Sequence, residues 1–98
     1  ACRRHEVPFS VPWDGEPHDG RIDLLYQDES GSWHIVEFKT DHAADAAGAR
    51  ALAHDPQMGY RQQVADYRRA AEEWLGSPVD ARLVFLNCDA GIQVVSTP

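Results

Sequence analysis

Apolar and polar residues alternate along two neighbouring stretches, 21–27 (Arg-Ile-Asp-Leu-Leu-Tyr-Gln) and 33–39 (Trp-His-Ile-Val-Glu-Phe-Lys). Both are rich in branched and aromatic side chains, which suit a pleated, half-buried surface. The polar tract Asp28-Glu29-Ser30-Gly31-Ser32 separates them, and its glycine can take a positive φ, so the pair predicts a β-hairpin. With the turn centred on Ser30, Asp23 faces Glu37, Ile22 faces Phe38 and Leu24 faces Val36. Side chains alternate along a strand, so Asp23, Glu37 and Lys39 are expected on one face.

The rest of the chain adds three strands and a helix. Residues 6–11 predict an edge or bulged strand because Pro8 lacks an N–H, and 12–20, with two prolines and two glycines, predict a loop. The alanine-rich residues 41–55 read as a weak helix or as a mobile loop. Asp55-Pro56 predicts a helix start. Tyr60, Val64, Tyr67, Ala71 and Leu75 continue at helical spacing until Gly76 and Pro78. Residues 82–87 predict a fully buried strand and 92–96 a short last one. The strand–helix–strand step permits a parallel crossover. The fold class expected is α/β, a mixed β-sheet of about five strands with at least one flanking helix.

At 98 residues the chain is one domain, 1–98, near the lower limit for a self-sufficient enzyme. It begins Ala1-Cys2-Arg3-Arg4 without methionine and reads as a piece cut from a longer polypeptide. No apolar run reaches transmembrane length, so no membrane partner is expected. A net charge of −7 argues against a stand-alone nucleic-acid binder. Much of the acid lies in expected loops, whereas Arg61, Arg68 and Arg69 share the helix, so most phosphate affinity would come from other domains. Cys2 and Cys88 are too few for a cysteine-only metal site or a disulfide framework, and a reducing cytosol follows as the compartment.

Two carboxylates opposite each other across a strand pair repel, and burial adds to that cost. A divalent cation between Asp23 and Glu37 removes it, with the Phe38 carbonyl as a further oxygen donor. Hard oxygen ligands suit Mg²⁺ or Mn²⁺, and Lys39 supplies a positive group for developing charge. The competing reading is an exposed hairpin with a Glu37–Lys39 surface pair. Apolar neighbours on both faces, Ile22, Leu24, Leu25, Ile35, Val36 and Phe38, count against it.

Gly20-Arg21-Ile22-Asp23 followed by Ile35-Val36-Glu37-Phe38-Lys39-Thr40-Asp41 resembles the active-site core of the PD-(D/E)XK nuclease superfamily. More narrowly it resembles the RecB-like branch found in bacterial helicase–nucleases of the AddA and RecB type. Tyr60-Arg61-Gln62-Gln63 with Tyr67 matches the Gln-x-x-x-Tyr motif of that branch, and Glu6-Val7-Pro8-Phe9 is similar to its first strand.

The resemblance implies a restriction-endonuclease-like core. It also implies a Mg²⁺-dependent, exonuclease-type deoxyribonuclease, with Mn²⁺ as substitute, that hydrolyses phosphodiester bonds in DNA end processing and recombinational repair, the isolated fragment being expected to be a weak nuclease or none. Asp23 and Glu37 would bind the metal with the Phe38 carbonyl, and Lys39 would orient water or stabilise the transition state. Gln63, Tyr67 and Tyr60 would brace the site or touch DNA. On periodicity alone Tyr67 is a core residue with its hydroxyl at the edge. Glu6 reads either as near the metal or as a solvent-facing strand residue.

DNA and helicase domains, in the same polypeptide or on a partner chain, are the implied partners, in a bacterial cytoplasm. The sequence departs from the branch in having glutamate at 37 where aspartate is usual. It also lacks the upstream helix with its histidine ligand and the four-cysteine iron–sulfur staple. His5, His18, His34, His42 and His54 show no ligand spacing. Without the upstream helix one sheet face should be exposed, so dimerisation or cover from another element is expected. A non-catalytic module of the same fold, acting as a DNA guide or docking surface, is the alternative function.

Overall fold

The computed structural model describes residues 3–97. Its strands are β1 (Arg3–Val11), β2 (His18–Gln27), β3 (Trp33–Lys39), β4 (Val79–Phe85) and β5 (Gln93–Thr97). Two helices, α1 (Ala46–His54) and α2 (Tyr60–Leu75), lie between β3 and β4. The strands form one five-stranded sheet in the order β1-β2-β3-β4-β5. β3 and β4 are parallel and every other neighbouring pair is antiparallel, as a crossover through helices requires. No helix among the described residues is long and apolar enough to cross a membrane.

The hairpin register is the one the turn chemistry predicts, with Leu24 opposite Val36 and Leu25 opposite Ile35. Asp28 sets the turn: its Oδ1 accepts the N–H of Ser30 at 2.9 Å and of Ser32 at 3.0 Å, and Gly31 takes φ 92°. Alternation fails at Asp23, however. The pairing of β2 with β1 skips this residue, the pairing with β3 ends at Leu24, and Glu6, across from Asp23 in β1, has φ 51°. Ile22 and Leu25 are both buried although three residues apart, which a regular strand cannot do on one face. Ile22, expected opposite Phe38, is wholly buried, while Phe38 is exposed.

Both helices cover one face of the sheet. Ile22, Leu25, Ile35, Ala81, Leu83 and Phe85 meet Ala49 and Ala53 of α1 and Val64 and Ala71 of α2 in one core cluster. The alanine-rich stretch is therefore helical. Asp45 caps it by accepting the Gly48 N–H at 2.9 Å, and its small side chains permit close approach to the sheet.

Asp55-Pro56 does not start the second helix. Asp55 is the C-cap of α1 and closes a turn, its Oδ1 taking the Gln57 N–H at 2.9 Å, and α2 begins after Gly59 at φ 72°. Gly76, at φ 67°, ends α2 as predicted, its N–H reaching Glu72 O at 2.9 Å. The expected loop after β1 holds a short 3-10 turn, Trp13–Gly15, seated by the buried Trp13. Trp13 donates to Glu73 at 3.3 Å and lies under Arg69 at 4.1 Å.

β4 begins at Val79 rather than Arg82 and is not buried on both sides. Val79, Ala81, Leu83 and Phe85 point inward, while Arg82 is exposed. On the face away from the helices Phe38 and Val94 remain 43% and 55% exposed.

Candidate active site

The interruption at Asp23 creates the site. Where the β2–β3 ladder stops, side chains take over the backbone groups. Glu37 Oε1 accepts the Asp23 N–H at 3.0 Å, and Asp23 Oδ2 accepts the Phe38 N–H at 3.0 Å. The two carboxylates are thus crossed over the gap in the ladder. Glu37 is the only charged residue among the described ones that is buried, at 3% exposure. Burial first, and then the shared hydrogen bond and charge of Asp23, push its carboxyl up to about 8, against the pull of the Asp23 N–H and of Lys39.

Lys39 closes the other side, on the inward face of β3 two residues beyond Glu37. Its Nζ donates to Gln63 Oε1 at 2.7 Å, and Gln63 Nε2 donates to the Tyr67 hydroxyl at 3.3 Å. Gln63 and Tyr67 lie one turn apart on α2, so the helix presents both to the strand end. Tyr67 also packs edge-on against Phe9, with centroids 5.2 Å apart. It serves as core residue and as site neighbour at once. Its phenol is raised, chiefly by burial.

Tyr60, at the start of α2, puts its ring 4.2 Å below the Lys39 ammonium and donates its hydroxyl to Asp41 at 2.5 Å. The structure therefore brings together Asp23, Glu37, Lys39, Gln63, Tyr67 and Tyr60. Glu6 stands apart: its exposed carboxylate is 4.0 Å from Arg21, in solvent.

Two contributors carried no chemical signal of their own in the sequence. Asp41, the last residue of the stretch 35–41, lies just past β3, and its contact with Tyr60 gives it a task there. Gly20 leaves room for Tyr67 and Phe9. A Cβ there would sit 2.6 Å from Tyr67 Cε1 and 2.6 Å from the Phe9 ring, so its place in Gly20-Arg21-Ile22-Asp23 is a packing requirement.

The donor set suits a hard cation: two carboxylates beside the Phe38 backbone, with one acid buried and tending to keep a proton where positive charge is lacking. Among the described residues no three His, Cys, Asp or Glu side chains converge, so water would complete any such shell. His34 is a structural clamp. Its Nε2 lies 2.7 Å from Asp28 and its Nδ1 3.2 Å from Asp80, with its ring stacked on Tyr26.

Among proteins of known sequence, the chain is 32% identical over 89 residues to an ATP-dependent helicase/nuclease subunit of Lysinibacillus sphaericus (strain C3-41). The match takes in 85% of this chain and 7% of that protein, so the chain spans a small part of its relative. Among solved structures, the crystal structure of SSO0001 superposes with a TM-score of 0.58 at 19% identity. That superposition covers 96% of this chain and 41% of the other, a likeness of fold. The family model of the PD-(D/E)XK nuclease superfamily matches residues 5–95, from the first strand through the crossed carboxylates to the last strand, and the chain belongs to that superfamily.

Proposed function

We propose that this chain is a divalent-metal-dependent deoxyribonuclease domain that hydrolyses phosphodiester bonds of DNA. The observation that carries the reading is the crossed pair, in which Asp23 and the buried Glu37 each accept a backbone N–H of the opposite strand beside Lys39. Asp23, Glu37 and the Phe38 carbonyl would hold Mg²⁺, with Mn²⁺ as substitute. When bound, the cation neutralises phosphate charge and acidifies water.

The chain's own residues do the rest. Lys39 brings a fixed positive charge to the scissile phosphate and stabilises charge that develops there. Gln63 holds the ammonium in place, and Tyr67 braces Gln63. Residues 1–98 form a single nuclease domain of a larger helicase–nuclease. The name of the bacterial relative supports that setting, in which exonuclease-type trimming at DNA ends serves recombinational repair. DNA and helicase domains are then its partners, in the bacterial cytoplasm.

The test is cleavage of linear DNA with Mn²⁺, alongside calorimetric Mn²⁺ binding. Asp23→Ala and Glu37→Ala should each abolish cleavage and weaken binding. Near wild-type cleavage in either would sink the assignment.

A further inference from the structure

We propose that Asp41 and Tyr60 form a positioning pair for Lys39, in which Asp41 fixes the Tyr60 ring by its hydroxyl and the ring face carries the ammonium. The proposal rests on the nuclease reading of Lys39 and adds two residues with a defined task.

Lys39 is the only lysine of the chain, and its flexible stem has many rotamers to lose before its charge is useful. Three carboxylates lie close by in the chain or across the hairpin, Asp23, Glu37 and Asp41. The ammonium nevertheless donates to the neutral Gln63 at 2.7 Å and rests 4.2 Å over the Tyr60 ring. An aromatic face attracts a cation without neutralising it. The charge is therefore held in place yet left available for phosphate, where an ion pair would consume it.

The ring itself is fixed from two directions. Tyr60 packs on the wholly buried Phe85 with centroids 6.4 Å apart, and its hydroxyl donates to Asp41 at 2.5 Å. Burial, and then Asp41, push the phenol up to about 12, so it remains a donor throughout the neutral range. Asp41 is anchored in turn because β3–β4 pairing continues past the strand ends. Leu86 N–H reaches Lys39 O at 3.0 Å, Asn87 Nδ2 reaches Thr40 O at 3.3 Å, and Ala43 bridges Cys88. The Tyr60 hydroxyl is thus committed inside the protein, which assigns it a supporting task rather than contact with DNA.

A single lysine makes the test direct. In the chain labelled with ¹³C-lysine, the Lys39 εCH₂ signal should be shifted upfield by the Tyr60 ring current. Tyr60→Leu should abolish the shift. Asp41→Ala and Tyr60→Phe, which cut the same hydrogen bond, should reduce it alike. In Mn²⁺-supported cleavage, Asp41→Ala should lower kcat about tenfold with Mn²⁺ affinity unchanged, the cost of a loosened catalytic group. Asp41→Asn, which can still accept from the hydroxyl, should recover most of the loss.

An Asp41→Ala signal identical to wild type overturns the proposal. So does a fall in Mn²⁺ affinity, which would make Asp41 a ligand. Cleavage that persists in Asp23→Ala overturns the nuclease reading instead, and the lysine signal still decides for or against the pair.

Discussion

Lys39 and Gln63 meet at 2.7 Å although 24 residues apart, ammonium on a strand end and amide oxygen on a helix. The contact ties α2 to the end of β3 and sets the direction in which the only lysine of the chain points. A short bond from a charged donor to a neutral acceptor, partly shielded from water, is among the stronger hydrogen bonds a protein makes.

Gln63→Ala should therefore loosen Lys39 on one side and remove one hydrogen-bond donor from the Tyr67 hydroxyl on the other. The expected result is a fall of about 10- to 100-fold in kcat for Mn²⁺-supported DNA cleavage, with Mn²⁺ binding unaffected. Calorimetry and single-turnover kinetics separate the two. A variant that binds Mn²⁺ more weakly would place Gln63 in the metal shell.

The crossed carboxylates predict an unusual pH dependence in the metal-free protein. Burial and Asp23 raise the Glu37 carboxyl to about 8 from its ordinary 4.5. Between those values the folded state keeps a proton that the unfolded state has released, so stability falls as pH rises through the window. Glu37→Gln, neutral throughout, should remove that part of the slope. Urea denaturation in EDTA at pH 5, 6, 7 and 8 gives the comparison. Parallel curves for wild type and variant would show that Glu37 ionises normally.

His34 titrates with a different pattern. Its hydrogen bond to Asp28 raises its pKa against the opposing effect of burial, with Asp80 adding to the rise. Ser30 and His34 hold Asp28 well below the usual carboxylate range, and His34 and Arg82 bring Asp80 down although burial pushes it up. A raised histidine contributes fully below about 6.5 and is lost above its folded pKa, while depressed carboxylates contribute fully above about 4 and lose that contribution progressively as pH falls towards their folded pKa. The stability gap between wild type and His34→Gln should thus be widest near pH 5–6 and shrink towards pH 3 and pH 9. A gap that does not change with pH would mean that the clamp acts through packing on Tyr26 alone.

Much of this was legible in the sequence because local chemistry determined it. Asp28 and Gly31 define the turn, the turn defines the register, and the register puts Asp23 beside Glu37. Gly76 ends α2 for a reason confined to one residue. Features that depend on a second layer or a third strand were not legible. The break at Asp23 involves Glu6 on the far side of β2, and it moves Ile22 into the core. An Asp-Pro pair can open a helix or close a turn equally well, and Gly59 decides for the turn. The apolar run 82–87 could not show that helices cover one of its faces only. Asp41 looked like one more loop acid until the fold brought Tyr60 to it.

Gly20 offers the sharpest steric test. It lies at the start of β2, paired with Phe9 of β1, where the Tyr67 ring reaches in from α2. A methyl group there would come within 2.6 Å of carbon atoms in both rings, far inside van der Waals contact. The rings must turn or shift, and a shift of the Tyr67 ring would lengthen its 3.3 Å link to Gln63. Overpacking of this kind typically costs about 1–3 kcal/mol. Gly20→Ala should show that loss in urea denaturation, together with a drop in cleavage. Phe9→Leu in the same chain should restore stability by vacating space, and with it part of the activity as Tyr67 returns. If Gly20→Ala matched wild type in both measurements, the approach of Tyr67 to this strand would not be what the residue protects.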